Sequence, residues 1–392
     1  MSGSFETRLA QARHVGDPAA DAVIAAFAKR PGGEGWRALE AALATGGTDP
    51  PVAFVTIGTM LAPLRDPPDW LDLELVDAGA VAYWRVGAAM LFLTLTYGSL
   101  AFGYQAADLV RPLAATGRLE RMAPRRLAET SRWTVAVTAP GGMHPGAEGW
   151  QACIRVRLVH ALVRRHLQAS PAWDPEWGVP ISAAGGFATA IGGFFVVPVR
   201  AMRDLGVRFS PAELEAIAHL WRWVGYVMGV PEELLPASAR QAKEWVEIAL
   251  AHGGEPTADS PRLMRALLYQ GLNVGPASPL VAQAVGALSR RWMGDEMADR
   301  LQVPGARLSR LVPLVRPVTR ARELIRAAGL LGSDRRVAAL ELALVQRTLA
   351  LRGAPRDPLA PQEAEAEPVL ASAEGSSSSS RTRSRKRAAS AA

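Results

Sequence analysis

The chain has 392 residues, 49% of them apolar. That is enough to bury a sizeable core in one large or two ordinary domains, and it excludes a chain disordered throughout. A single cysteine, Cys153, excludes an intramolecular disulfide framework and Cys-rich zinc or iron–sulfur sites. The formal charge of +7 is almost all arginine, with only Lys29, Lys243 and Lys386 besides. No helix-turn-helix, zinc-finger or aromatic-plus-basic pattern accompanies it, so nucleic-acid binding is not expected.

In chain order, the start MSGSFETRLAQARH lacks the basic-then-apolar layout of a secretory signal, and a cytoplasmic location is expected. Helical periodicity runs through residues 17–29, 35–45, 71–103, 124–137, 147–169, 186–204, 210–229 and 237–252, and on through several more segments to Leu351. Start signals support two of these: Asp17-Pro18, and Ser210-Pro211-Ala212-Glu213 with Ser at the N-cap and Glu at the third helical position. Two stretches, 86–107 and 179–199, reach membrane-spanning length. They carry Tyr, Thr, Gly and Pro, and are expected to be buried helices rather than membrane contacts, although peripheral association stays open. No βαβ rhythm, alternating strand run or internal repeat is present, so the fold class is all-α. The expected division is an N-terminal helical extension (1–64), one helical domain (65–357) and a disordered Ser/Arg-rich tail (358–392) ending in SSSSSRTRSRKRAASAA.

The residues with chemical potential cluster in two helices. In RVRLVHALVRRHL (155–167), His160 shares an apolar stripe with Cys153, Val156, Val163 and Leu167, while Arg155, Arg157, Arg164 and Arg165 are expected to point mostly elsewhere. Such a histidine is either a core side chain whose ring N–H meets a carbonyl, or a metal or haem ligand. Arg155, Arg157 and Arg164 could then serve haem propionates. On the preceding helix, Arg126 and Thr130 sit four residues apart and share a face, a cation beside a hydroxyl. Arg126 could equally pair with Glu129. His144, in a Gly/Pro turn, is expected to be exposed, His166 to face away from His160, and His219 to be a core or supporting group. The glycines of GGFATAIGG have neither the spacing nor the preceding strand of a dinucleotide loop.

The collinear segments GYQAADLVRPLAATGRLERMAPRRLAETSRW, PGGMHPGAEGWQACIRVRLVHALVRRHL, WDPEWGVPIS and LGVRFSPAELEAIAHLWRWVGYVMGVPEELLP resemble the catalytic domain of MpaB-type and latex-clearing rubber oxygenases over roughly residues 65–240. The resemblance implies a globin-like helical core holding haem b, with His160 as the proximal iron ligand and metal site. It implies Arg126 and Thr130 on the distal side, with Glu129 the nearest carboxylate for a general base and Arg157 and Arg164 beside the cofactor. The implied partners are dioxygen and an apolar alkene, the implied reaction oxidative cleavage of an isoprenoid carbon–carbon double bond. Two departures qualify it. Glu129 stands where the rubber oxygenases carry a lysine that closes the distal side, so a lysine-capped state is not expected. Ser182-Ala183-Ala184-Gly185 replaces a polar stretch after WGVPI. The alternatives are a haem carrier or gas sensor without oxygenase activity, and a cofactor-free helical protein of the membrane surface.

Overall fold

The structure is a computed structural model that describes residues 4–30, 32–47, 52–116, 118–252, 255–270 and 277–351. The tail expected from 358 onward lies outside the described residues. Those residues form helices and turns, with no strand among them. In order, the helices are α1 (Phe5–Ala12), α2 (Pro18–Ala28), α3 (Glu34–Ala44), α4 (Val55–Arg65), α5 (Leu73–Trp84), α6 (Ala88–Gly103), α7 (Ala107–Thr116), α8 (Arg118–Thr138) and α9 (Glu148–Ala169). They continue as α10 (Ala183–Asp204), α11 (Pro211–Val227), α12 (Ala239–Ala251), α13 (Ser260–Gln270), α14 (Ser278–Met293), α15 (Asp295–Arg300), α16 (Arg316–Ala327) and α17 (Asp334–Leu351).

The expected start signals act as caps. Asp17 Oδ1 accepts the Ala20 N–H at 3.2 Å, and Ser210 with Glu213 forms a reciprocal capping box. Ser182, in the segment that departs from the family pattern, caps α10 by accepting the Gly185 N–H at 3.3 Å.

The single helix expected over 71–103 is instead two, α5 and α6, meeting at 89°. Arg85 lies at the break with its side chain fully buried. It donates to Glu213, to Glu323 at 3.3 Å and to the Arg208 carbonyl at 2.6 Å. Gly87, at φ 96°, turns the chain into α6 in a conformation that side-chain-bearing residues rarely adopt.

Both long apolar segments contain wide π-type turns, Thr94–Leu100 in α6 and Ala188–Val196 in α10. Such turns leave carbonyls short of intrahelical partners. Here Ser99 donates to the Gly193 carbonyl, and Tyr83 Oη donates to the Phe194 carbonyl at 2.6 Å. By length and composition α10 is long enough to cross a membrane, but half of its apolar window is buried within the protein. One large apolar core runs from Phe5 to Ala338 and unites α1–α4 with α5, α9, α10 and α11. A second, around Tyr97, Tyr104, Met264 and Leu301, lies between α6, α7, α13, α14 and α15.

Candidate active site

The site expected from the sequence falls on two packed helices, α8 and α9. Their junction is tight at Gly149, in the first turn of α9: a β-carbon there would lie 2.4 Å from the Ala136 carbonyl oxygen and 2.7 Å from that of Gly142. Only hydrogen fits in that gap.

Down α8 runs a ladder of hydroxyls one turn apart. Trp84 Nε1 donates to Thr138 Oγ1 at 2.9 Å, Thr138 donates to the Thr134 carbonyl at 2.6 Å, and Thr134 donates to the Thr130 carbonyl at 2.8 Å. Thr134 and Thr138 are buried and Thr130, where the ladder ends, is exposed. Glu129 accepts from Arg125 Nε at 3.0 Å. The side chain of Arg126 lies outside the described residues. Trp133, on the same helix, packs edge-on to Phe194 at 5.2 Å and tilts against Trp221 at 6.1 Å, covering the inner flank of α8 with aromatic rings.

On α9, His160 is half-buried, and so are Val156, Val159 and Val163 around it. It therefore stands on the shoulder of the helix's buried arc, on a stripe that is apolar and only partly covered. The arginines depart from the expected arrangement. Arg157 and Arg164 do not point away from the core; both are buried. Arg157 binds Asp17 in bidentate fashion at 2.5 and 2.9 Å and donates to the Val227 carbonyl at 3.2 Å. Arg164 binds Asp21 at 2.7 and 2.9 Å and donates to the Ile181 carbonyl at 2.9 Å. Their guanidinium groups tie α9 to α2, because a buried guanidinium must find carboxylates or carbonyls to replace water. Arg155 binds Glu40 at 2.6 Å nearer the surface.

The other histidines separate from this region. His144 is half-exposed and bonded to Asp77 at 3.2 Å. His219 accepts the Asp72 N–H on Nε2 at 3.0 Å; burial, then the Arg222 charge, hold its pKa below the ordinary 6.5. Its ring therefore carries the proton on Nδ1 and supports the start of α5.

Haem fits the donor set of this pair of helices better than a bare metal ion does. Among the described residues no group of three or more His, Cys, Asp or Glu side chains converges as a metal cage, whereas a porphyrin brings its own four nitrogens and asks the protein for one axial donor. Cys153, the thiol on α9, is fully buried, and burial pushes it far above the usual range. His160, half-buried among valines, is the imidazole on the stripe.

Three polar groups escaped the sequence reading. Tyr97 Oη, Tyr104 Oη and Gln105 Nε2, on α6 and just after it, are buried without a hydrogen-bond partner, and burial pushes the Tyr97 phenol up to about 12. Gln105 borders a cleft of about 380 Å³ lined also by Phe102, Leu250, His252, Glu255 and Met297. That volume falls at the small end for a small-molecule site, and its walls include no residue of α8 or α9. A run of Tyr and Gln at the end of an apolar helix is the only signal the sequence offered.

The chain resembles known proteins. The family described as the catalytic domain of ER-bound oxygenase mpaB/B' and rubber oxygenase matches residues 84–327. The rubber oxygenase of Streptomyces sp. (strain K30) is 29% identical over 258 residues, covering 60% of this chain and 58% of that protein, so the alignment spans less than two thirds of the relative's length. The solved structure of a latex clearing protein in the closed state superimposes with a TM-score of 0.64 at 25% identity, over 87% of this chain and 91% of that one. With a helical core, the α8–α9 pair and more than half of the chain inside the matched region, the protein belongs to the mpaB/B' and rubber oxygenase catalytic-domain family.

Proposed function

We propose that this protein is a haem b oxygenase that cleaves a carbon–carbon double bond in an isoprenoid or other apolar alkene. The observation that carries the reading is the single imidazole of His160, half-buried on an apolar stripe of α9, opposite a helix bearing Arg126, Glu129 and Thr130. Family membership and the name of the rubber oxygenase relative support the oxygenase class. When bound, haem supplies the redox chemistry that couples dioxygen to alkene oxidation.

The chain's own residues do the rest. His160 would hold the haem iron through a ring nitrogen. Thr130, exposed where its ladder ends, would offer an O–H and Arg126 a cation to negative charge developing on oxygen. Glu129 is the carboxylate nearest to Thr130 in the chain and the candidate to take or return a proton. Trp133, Phe194 and Trp221 keep the flank of α8 dry. Arg157 and Arg164, already committed to Asp17 and Asp21, position α9 and are not assigned to the cofactor.

The test is the visible spectrum of the purified protein supplied with haem, oxidised and dithionite-reduced, beside His160→Ala. A Soret band in the parent that is lost or shifted in the variant is expected. Thr130→Val should keep the band and lower oxygen consumption with an isoprenoid on the order of a hundredfold. A parent that stays colourless in the presence of haem sinks the proposal.

A further inference from the structure

The surface formed by the residues after α15 reverses the usual polarity of a helical protein. In α16 the inward positions carry Thr319 and the buried carboxylate Glu323, while Val318, Ala321, Leu324 and Ile325 form the outward face. Val318 is 73% exposed and Leu324 63%. The 3₁₀ segment before it, Leu308–Val315, adds Leu311 and Leu314, the latter 69% exposed, and the turn after it adds Leu330 at 76%. Single exposed leucines are ordinary; a continuous helix face of them next to a second such segment marks a contact surface.

The charges around this face choose the occupant. Arg307, Arg310, Arg320, Arg335 and Arg336 are exposed and make no ion pair among the described residues. Between 307 and 336 the acids are Glu323, which is 3% exposed and turned inward to Arg85 and Arg326, and Asp334, which is paired with Arg326. A second copy meeting this face across a two-fold axis would bring these arginines against their own equivalents, and protein interfaces deplete charge at their centres. A lipid surface has the opposite pattern: acyl chains for the leucines and valines, and phosphates above them for a ring of guanidinium groups.

We propose that the face formed by Leu308–Val315, α16 and the turn that follows docks this protein on a bilayer containing anionic lipid, lying in the interface rather than spanning it. The proposal uses neither His160 nor the oxygenase reading, and either stands if the other fails.

The test is cosedimentation of the full chain with extruded vesicles of phosphatidylcholine, with and without phosphatidylglycerol, at low and at physiological salt. Binding to the phosphatidylglycerol vesicles that weakens with salt is expected. Val318→Asp/Leu324→Asp should abolish it, and Arg310→Gln/Arg320→Gln should weaken it about thirtyfold. All four positions are exposed, so circular dichroism and melting temperature should match the parent. Three results would overturn the proposal: no binding to either vesicle; equal, salt-insensitive binding to both; or a parent that is dimeric by sedimentation velocity and becomes monomeric in the Asp variant without any change in lipid binding. Binding that appears only after residues 352–392 are removed would instead assign the face to the chain's own C-terminal segment.

Discussion

Arg157 and His160 lie one turn apart on α9 and meet different fates, and a pattern of residue types could not separate them. Periodicity put the histidine on an apolar stripe, where it is, and put Arg157 and Arg164 outside the core, where they are not. What decides is the position of Asp17 and Asp21, more than a hundred residues away, which place carboxylates against the inner face of α9. Asp17 was legible as an N-cap, and it serves as one, but its second oxygen holding Arg157 was not. Because both partners are largely buried, removing one leaves an uncompensated charge. Arg157→Ala is expected to cost about 3–5 kcal/mol of unfolding free energy, while Asp17→Asn/Arg157→Met, which keeps the cap acceptor and fills the volume, should recover most of it. Urea denaturation checks both. If haem is bound through His160, the folded fraction of Arg157→Ala keeps the parent's spectrum; a lost Soret band in that folded fraction would return Arg157 to the cofactor.

At the scale of elements, the helices themselves were mostly readable, because caps and apolar spacing are local. The break between α5 and α6 was not. Leu71 to Gly103 reads as one apolar helix until Arg85 finds Glu213 and Glu323, partners that enter the chain 128 and 238 residues later. The α8–α9 contact lies between these cases: the glycines of PGGMHPGAEG announce a turn, but only the fold shows that Gly149 is needed for closeness to Ala136. Gly149→Ala puts a methyl where two carbonyl oxygens already sit. The start of α9 must back away, at a cost of about 1–3 kcal/mol, and His160 moves with it relative to Thr130. A lowered melting temperature together with a shifted Soret maximum is expected. A stable variant with an unchanged spectrum would mean that the helix junction does not set the site.

At the scale of the whole molecule, the family region does not stand alone. The main core begins at Phe5, so α1–α4 share their packing with α9 and α11 and should unfold with them. The arginine-rich C-terminal helices are held differently, by carboxylates. Asp204 binds Arg291 of α14 at 2.5 Å and also Arg316 of α16, while Glu213 holds Arg85, which in turn reaches Glu323 of α16. Burial alone would raise both Asp204 and Glu213, but the guanidinium hydrogen bonds and charges pull each below its ordinary value of 3.8 or 4.5. With folded values depressed, the unfolded chain binds the extra protons. The stabilisation is therefore full above about pH 4.5 and is lost as pH falls through the lowered values. His219, also depressed, adds a shallower loss that begins as pH drops below 6.5. Acid should thus release α14 and α16 from the body before the apolar core yields, since Asp204 and Glu213 are the carboxylates held below their ordinary values and both act on these C-terminal helices. Hydrogen exchange from pH 5 down to about pH 2 should show protection lost first in α14 and α16. Glu213→Gln, which keeps an acceptor for the capping box but removes the charge, should flatten the acid limb of the stability profile. Uniform loss of protection across all helices would show instead that these ion pairs and the core form one cooperative unit.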